Sequence, residues 1–234
     1  MTTQYSSSQV VRTPEGQSPK LVRETIPVPS PGPGQVLVKC LIGLNWRGGT
    51  RLTKGDIVGA LIWGGETKGL GAYSEYCLAD QRIAFKVPTA LSREDASTIS
   101  LAAATAWLAL FSPDYLNLDR TNAQGTSVLV WEVAVRLSLS LQRFRLSNVI
   151  WCETASVGLY SIQIASLYGF DVVTTCSPHN AELVRSYGAK YVFDYKDEKV
   201  AEEIRKVAPN IYHVFDTVGN QGSSPTASIA ARLV

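Results

Sequence analysis

Apolar and polar positions follow two different rhythms along this chain. Over residues 1–90 the apolar runs are short and interrupted by Gly and Pro: "QVLVKCLIGL" (35–44), "DIVGALIW" (56–63) and "YSEYCLAD" (73–80). Short β-prone runs between turn formers predict the strands of a small barrel or sandwich. "PVPSPGPG" (27–34) predicts a rigid turn ahead of the first strong strand. A helix is predicted next. Ser92 with Asp95 three residues later supplies its start, and the Ala/Leu run carries it to Phe111 as a buried helix.

From residue 126 strands and helices alternate. "TSVLVW" (126–131) predicts a strand and 156–169 a helix, with Val157, Tyr160, Ile164 and Leu167 on one face and Gly169 as its stop. Strands are predicted at 171–176, 191–194 and 211–219. Helices are predicted at 180–189, ended by Gly188, and at 197–208. This alternation implies parallel strands joined by right-handed crossovers. The expected fold class is α/β, a β-barrel domain over 1–100 followed by a Rossmann-type doubly wound parallel sheet over 101–234.

Composition narrows the function classes. Of the 234 residues 45% are apolar and 18% charged, which suits a soluble enzyme and excludes a disordered chain. The net charge of +2, with Lys and Arg scattered apart from a basic cluster in "VRLSLSLQRFR" (135–145), argues neither for nor against nucleic acid; no nucleic-acid partner is expected. Cys40, Cys77, Cys152 and Cys176 are far apart in sequence and match neither a disulfide framework nor a C-x-x-C metal knuckle. The N-terminus lacks the apolar core of a signal peptide, and no apolar run is long enough to span a bilayer. A cytoplasmic location without a membrane partner is the expectation.

Ligands of a doubly wound sheet bind outside the carboxyl ends of its strands. Three such ends are Cys176–Asn180, Asp194–Lys196 and Asp216–Asn220. An NAD-binding fold places an acid at the first of these to hold the ribose 2′-hydroxyl. Here the chain offers Ser177, Pro178, His179 and Asn180 instead. Hydroxyl, amide and imidazole groups would welcome a 2′-phosphate that a carboxylate would repel. Tyr195 and Lys196, one strand over, could cover the adenine side and add positive charge. The same four residues also suit a plain turn and N-cap, and the residues alone leave both readings open.

The series "GAYSEYCLAD", "SREDASTISLAAATAWLALF", "TASVGLYSIQIASLYGFDVVTTCSPHN", "YGAKYVFDYKD" and "VFDTVGN" resembles the zinc-independent medium-chain dehydrogenase/reductases. Within them it is most similar to the fungal trans-acting enoyl reductases of polyketide pathways and to quinone oxidoreductases. The resemblance implies a GroES-like N-terminal domain and NADP(H) as cofactor. It places Ala155, Ser156, Val157 and Gly158 under the pyrophosphate at a helix N-terminus. It also sets Ser177–Asn180 around the 2′-phosphate, Tyr195 at the adenosine end and Asn45 near the nicotinamide. Leu101, Ala102, Ala103, Ala104, Thr105, Ala106, Trp107 and Leu108 would line an acyl tunnel; read by themselves they form an ordinary core helix. The implied reaction is hydride transfer to an activated alkene of a small-molecule or carrier-bound enoyl substrate, with a polyketide synthase as a possible partner. The resemblance supplies no proton donor and no metal, and the Gly-His-Glu motif of the zinc-dependent members is missing.

Three departures are visible. Only "WRGG" separates Asn45 from Thr50, where the family runs some forty residues. "EVAVRLSLSLQRFRLS" and a strand-like "NVIWCE" stand where a glycine-rich turn is expected, leaving Cys152 and Glu153 just upstream of the helix. The fourth Rossmann strand is followed by "QGSSPTASIAARLV", which does not read as a continuation of the sheet. A quinone oxidoreductase, or a remnant that at most binds NADPH, therefore stand as alternatives.

Overall fold

A computed structural model of the chain describes residues 5–12, 20–40, 52–62, 71–131 and 152–217. Asn45, the tails of the runs predicted at 35–44, 56–63 and 211–219, and residues 132–151 lie outside them. The chain divides into two compact units, residues 1–100 and 101–234.

The first unit is built from short antiparallel pairs. Strands β1 (Tyr5–Arg12) and β2 (Lys20–Pro27) form a hairpin, β3 (Gln35–Lys39) pairs with β5 (Tyr76–Asp80), and β4 (Val58–Ala60) pairs with β6 (Ala84–Lys86). The predicted strands at 56–63 and 73–80 are therefore shorter than expected. Asp56 belongs to a turn, its N–H donating to Thr53 O while its carboxylate accepts from Thr53 N–H and Oγ1. Ser74 lies across from Ser8 in an isolated bridge, with their hydroxyls 2.7 Å apart. The small core of this unit is Val36, Leu52, Ala79 and Ala84.

One helical run follows, in three parts: α1 (Arg93–Thr98), a π turn (Ile99–Ala103) and α2 (Ala104–Phe111). Ser92 caps it as predicted, its Oγ accepting from Asp95 N–H at 3.0 Å. The π turn was not predicted; it re-aims the helix face just before the Ala-rich segment.

The second unit carries a four-stranded parallel sheet among the described residues. Its strands are β7 (Ser127–Trp131), β8 (Asp171–Cys176), β9 (Tyr191–Asp194) and β10 (His213–Asp216), in the order β10-β7-β8-β9. Helix α3 (Cys152–Leu167) packs on β7 and β8, with α4 (Ala181–Ser186) and α5 (Val200–Val207) against β9. This is the α/β arrangement expected. One face of the sheet buries Val128, Val130 and Val172 with Leu110, Ile162 and Val184; the other buries Leu129, Trp131 and Val173 with Val200 and Ile204. Successive residues of a strand serve opposite faces, so "VLVW" is apolar throughout, and in "VVTT" two valines are followed by threonines that are equally buried.

Two expectations for α3 are corrected. It begins at Cys152 rather than Ser156, so Cys152 and Glu153 lie inside the helix and not in a strand-like run before it. No glycine or proline interrupts 152–157 to stop the helix from running upstream. Over 156–167 its buried positions are Gly158, Ser161, Ile162 and Ala165, spaced i, i+3, i+4, i+7, while Leu167 is 82% exposed. Three of these four are small, and the fourth, Ile162, fills the core where α3 lies across β7 and β8. The Ser161 hydroxyl, fully buried, is satisfied by donating to Val157 O at 2.8 Å.

Both glycine stops hold. Gly169 (φ +90°) and Gly188 (φ +107°) are left-handed, and each closes the same motif. Gly169 N–H donates to Ser166 O and Phe170 N–H to Ala165 O; Gly188 N–H donates to Arg185 O and Ala189 N–H to Val184 O. Each motif turns the chain straight into the next strand.

Candidate cofactor site at the carboxyl edge of the parallel sheet

Strand β7 has β8 on one side and β10 on the other, all three parallel, so the strand order changes side at β7, and its carboxyl end is the switch point at which doubly wound sheets bind their ligands. Register sets which groups meet there. Val130 is level with Thr174, and Cys176 with Asp194, which brings Ser177 and Tyr195 to neighbouring positions at the edge. The Thr174 hydroxyl donates to Val130 O at 2.8 Å and locks β8 to β7.

Residues 178–180 form one 3₁₀ turn ahead of α4, not the start of a helix at 180. Ser177 has the extended backbone of an N-cap (φ −67°, ψ 144°), but its side chain makes no capping hydrogen bond. Asn180 N–H is taken by the Ser177 carbonyl at 2.9 Å, leaving the hydroxyl unspent on the backbone. Pro178 and His179 are exposed, and Ser177 is half-buried. Asn180 differs: it is 6% exposed and engaged within the protein.

Beside this turn, Tyr195 is half-buried against the second core, and Lys196 Nζ lies 5.7 Å from its ring centroid. Asp194 is level with Cys176, and its Oδ1 accepts from Lys196 N–H at 3.0 Å; Glu182 stands in the first turn of α4. Burial pushes the Cys176 thiol up; the charge of Arg185 lowers it and that of Asp194 raises it. Arg185 is thus close enough to act on the end of β8, and it is exposed. It was passed over in the sequence, although a cation following this strand is a known way to accommodate a 2′-phosphate.

The other expected residues are placed unequally. Ala155, Ser156, Val157 and Gly158 lie in the first two turns of α3 and not at its opening. Ser156 and Val157 are half-buried and Gly158 is buried. Asn45 is outside the described residues. Within Leu101–Leu108 the helix is two-faced. Ala102 (8% exposed) and Ala106 (0%) are buried, Ala103 is half-buried, and Leu101, Ala104, Thr105 and Leu108 form an exposed stripe at i, i+3, i+4, i+7. The Thr105 hydroxyl donates to Leu101 O at 2.8 Å, so the stripe presents mainly carbon. Trp107 turns elsewhere, edge-on to Phe111 (4.8 Å) and Tyr168 (5.7 Å), with Arg120 over all three rings. The ordinary-core reading of this segment is therefore right for one face alone.

Among the described residues no group of three or more His, Cys, Asp and Glu could hold a metal ion, and no helix is long and apolar enough to cross a membrane.

Residues 156–232 match the zinc-binding dehydrogenase family. A dehydrogenase (azaJ) of Aspergillus niger is 35% identical over 161 residues, 68% of this chain and 42% of that one. The trans-enoyl reductase FSL5 of Gibberella zeae is 29% identical over 184 residues, 76% of this chain and 45% of that one. The chain thus spans less than half the length of these relatives. Among solved structures, a mycobacterial protein complexed with NADPH superposes with a TM-score of 0.64 at 24% identity, covering 92% of this chain and 67% of that one. Strand order, switch point, glycine-stopped helices and these likenesses agree: the chain belongs to the medium-chain dehydrogenase/reductase superfamily, with fungal trans-enoyl reductases among its relatives.

Proposed function

We propose that the chain is an NADPH-binding oxidoreductase of the enoyl-reductase type, acting on the C=C bond of an α,β-unsaturated acyl thioester. One observation carries the cofactor choice. At the end of β8 the Ser177 hydroxyl is unspent on its own cap, no acid stands in 177–180, and the cations Arg185 and Lys196 lie nearby. That donor set fits a phosphomonoester on the ribose 2′ position. Ser177 and His179 would hold the phosphate, Arg185 would balance its charge, and Tyr195 would lie along the adenine. When bound, the nicotinamide supplies the hydride for alkene reduction. The chain's own work is then to bind, to orient and to keep water out. The exposed stripe of Leu101, Ala104 and Leu108 supports an aliphatic acyl chain as the substrate's tail. The trans-enoyl reductase relative supports an enoyl substrate; its presentation as a carrier-bound thioester by a polyketide synthase belongs to the same proposal.

The test is Ser177→Asp. A carboxylate there repels a 2′-phosphate and accepts from a 2′-hydroxyl. NADPH affinity is expected to fall about 10- to 100-fold, the scale of one charge-assisted contact, while NADH binding holds or improves. Equal losses for both cofactors would remove the 2′-phosphate assignment. Turnover of a crotonyl thioester by the unaltered chain tests the reaction separately from the cofactor.

A further inference from the structure

Two cysteines that are 37 residues apart in sequence meet in the first unit. Cys40 Sγ lies 3.4 Å from Cys77 Sγ. Strand pairing explains the meeting. Val38 is opposite Cys77, and Cys40 N–H donates to Glu75 O at 2.8 Å, so Cys40 and Cys77 are diagonal neighbours on one face of the β3–β5 ladder. Cys40 is half-buried and Cys77 is 3% exposed.

The pair is asymmetric in the way a reactive thiol and its resolving partner are. Contact with Cys77 draws the Cys40 thiol below its usual range, against the opposing effect of burial. The Cys77 thiol is pushed well up by that contact and by its own burial. Once one proton leaves, Cys40 is the thiolate, being nearer water, and Cys77 is its S–H donor. Neither residue belongs to the cofactor edge described above.

We propose that Cys40 and Cys77 form a redox-sensitive modification site that closes to an intramolecular disulfide under hydroperoxide. The steps balance. Cys40 thiolate attacks one peroxide oxygen, the O–O bond breaks, and a sulfenic acid and hydroxide result; hydroxide takes a proton to become water. Cys77 sulfur then attacks the Cys40 sulfur, and the S–O bond breaks. The thiol proton leaves with the hydroxyl as a second water, so peroxide is reduced and two thiols are oxidised. Bond formation needs the sulfurs to approach by about 1.4 Å from their contact distance, given the ~2.05 Å length of a disulfide. Cys40 lies one residue beyond the end of β3, so the backbone shift that closes the bond falls at the edge of the ladder, at the Cys40 N–H to Glu75 O hydrogen bond. Cys176, 1% exposed at the end of β8, lies in the second unit and is expected to stay reduced.

Hydrogen peroxide is added to the purified, reduced full chain, followed by alkylation under denaturing conditions and peptide mapping. The expected product is a Cys40–Cys77 cross-linked peptide that dithiothreitol reverses, with Cys176 alkylated. Cys77→Ala should convert Cys40 to sulfinic and sulfonic acids, and Cys40→Ala should leave Cys77 unoxidised. Cys40 and Cys77 both recovered as alkylated thiols from the unaltered chain, or cross-links scrambled to Cys152 or Cys176, would overturn the proposal. The map of the unaltered chain decides even if a variant fails to fold.

Discussion

Two glycines that look alike in sequence differ in what a methyl group would cost. Gly169 and Gly188 both require positive φ, so alanine strains the backbone at either by about 1 kcal/mol. At Gly169 an added Cβ meets nothing within 4 Å, whereas at Gly188 it would lie 2.4 Å from Ser166 Oγ and 2.6 Å from Ser166 Cβ. Gly188→Ala is therefore expected to destabilise by about 2–3 kcal/mol and Gly169→Ala by about 1, read from urea midpoints. Equal costs would show that Ser166 moves aside freely. At the same scale, Arg185→Gln should weaken NADPH several-fold and leave NADH unchanged, because the guanidinium's charge and N–H donors would serve a 2′-phosphate that NADH lacks. Comparable titrations of both cofactors check it. Both glycines were legible in the sequence as punctuation. Arg185 was not singled out, because its relevance depends on which way α4 runs from β8.

Among the elements, α3 shows what periodicity can and cannot resolve. Its sequence, apolar on most sides, predicts a helix securely and its buried face poorly. Large residues suggested the face of Val157, Tyr160, Ile164 and Leu167. Contact with two strands buries Gly158, Ser161, Ile162 and Ala165 instead, three small residues around one large side chain, Ile162, that fills the core. Ile162→Ala should cost about 2–5 kcal/mol, since Ile162 is fully buried, and Leu167→Ala should cost under about 0.5. Reversal of that order would restore the sequence-based face. The hairpin β1–β2 was missed for a related reason. Buried Ser6 (5% exposed) and Ser8 (3%) occupy inward positions where pattern reading looks for carbon, and Ser8 finds its partner only across the fold, at Ser74. The strands of the parallel sheet, by contrast, announce themselves, since a strand covered on both faces is apolar throughout. The π turn at 99–103 has no counterpart in the sequence pattern, and it turns a run that reads as core into a helix with one exposed apolar stripe.

For the whole molecule, acid should loosen the chain through identifiable carboxylates. Lys86, with Thr53, holds Asp56 below its ordinary range; Arg82 does so for Asp80 and Thr121 for Asp119. Depressed carboxylates stabilise above their unfolded value of 3.8, and that contribution is lost as pH falls through the lower folded values. Urea midpoints are expected to be level near neutrality and to drop below about pH 4, with Asp56→Asn flattening part of the drop. Lys190 runs the other way. Its partner Asp171 raises it, so its contribution persists up to its unfolded value of 10.5 and fades only above that.

The central claim at this scale is that the carboxyl edge of the parallel sheet accepts a dinucleotide bearing a 2′-phosphate. The direct measurement is a fluorescence titration of the full, unaltered chain with NADPH and, in parallel, with NADH. The account predicts saturable NADPH binding at micromolar concentration and NADH binding at least about tenfold weaker, one lost charge-assisted contact being worth that much. Equal affinities, or no binding of either by a chain whose circular dichroism shows it folded, would contradict it.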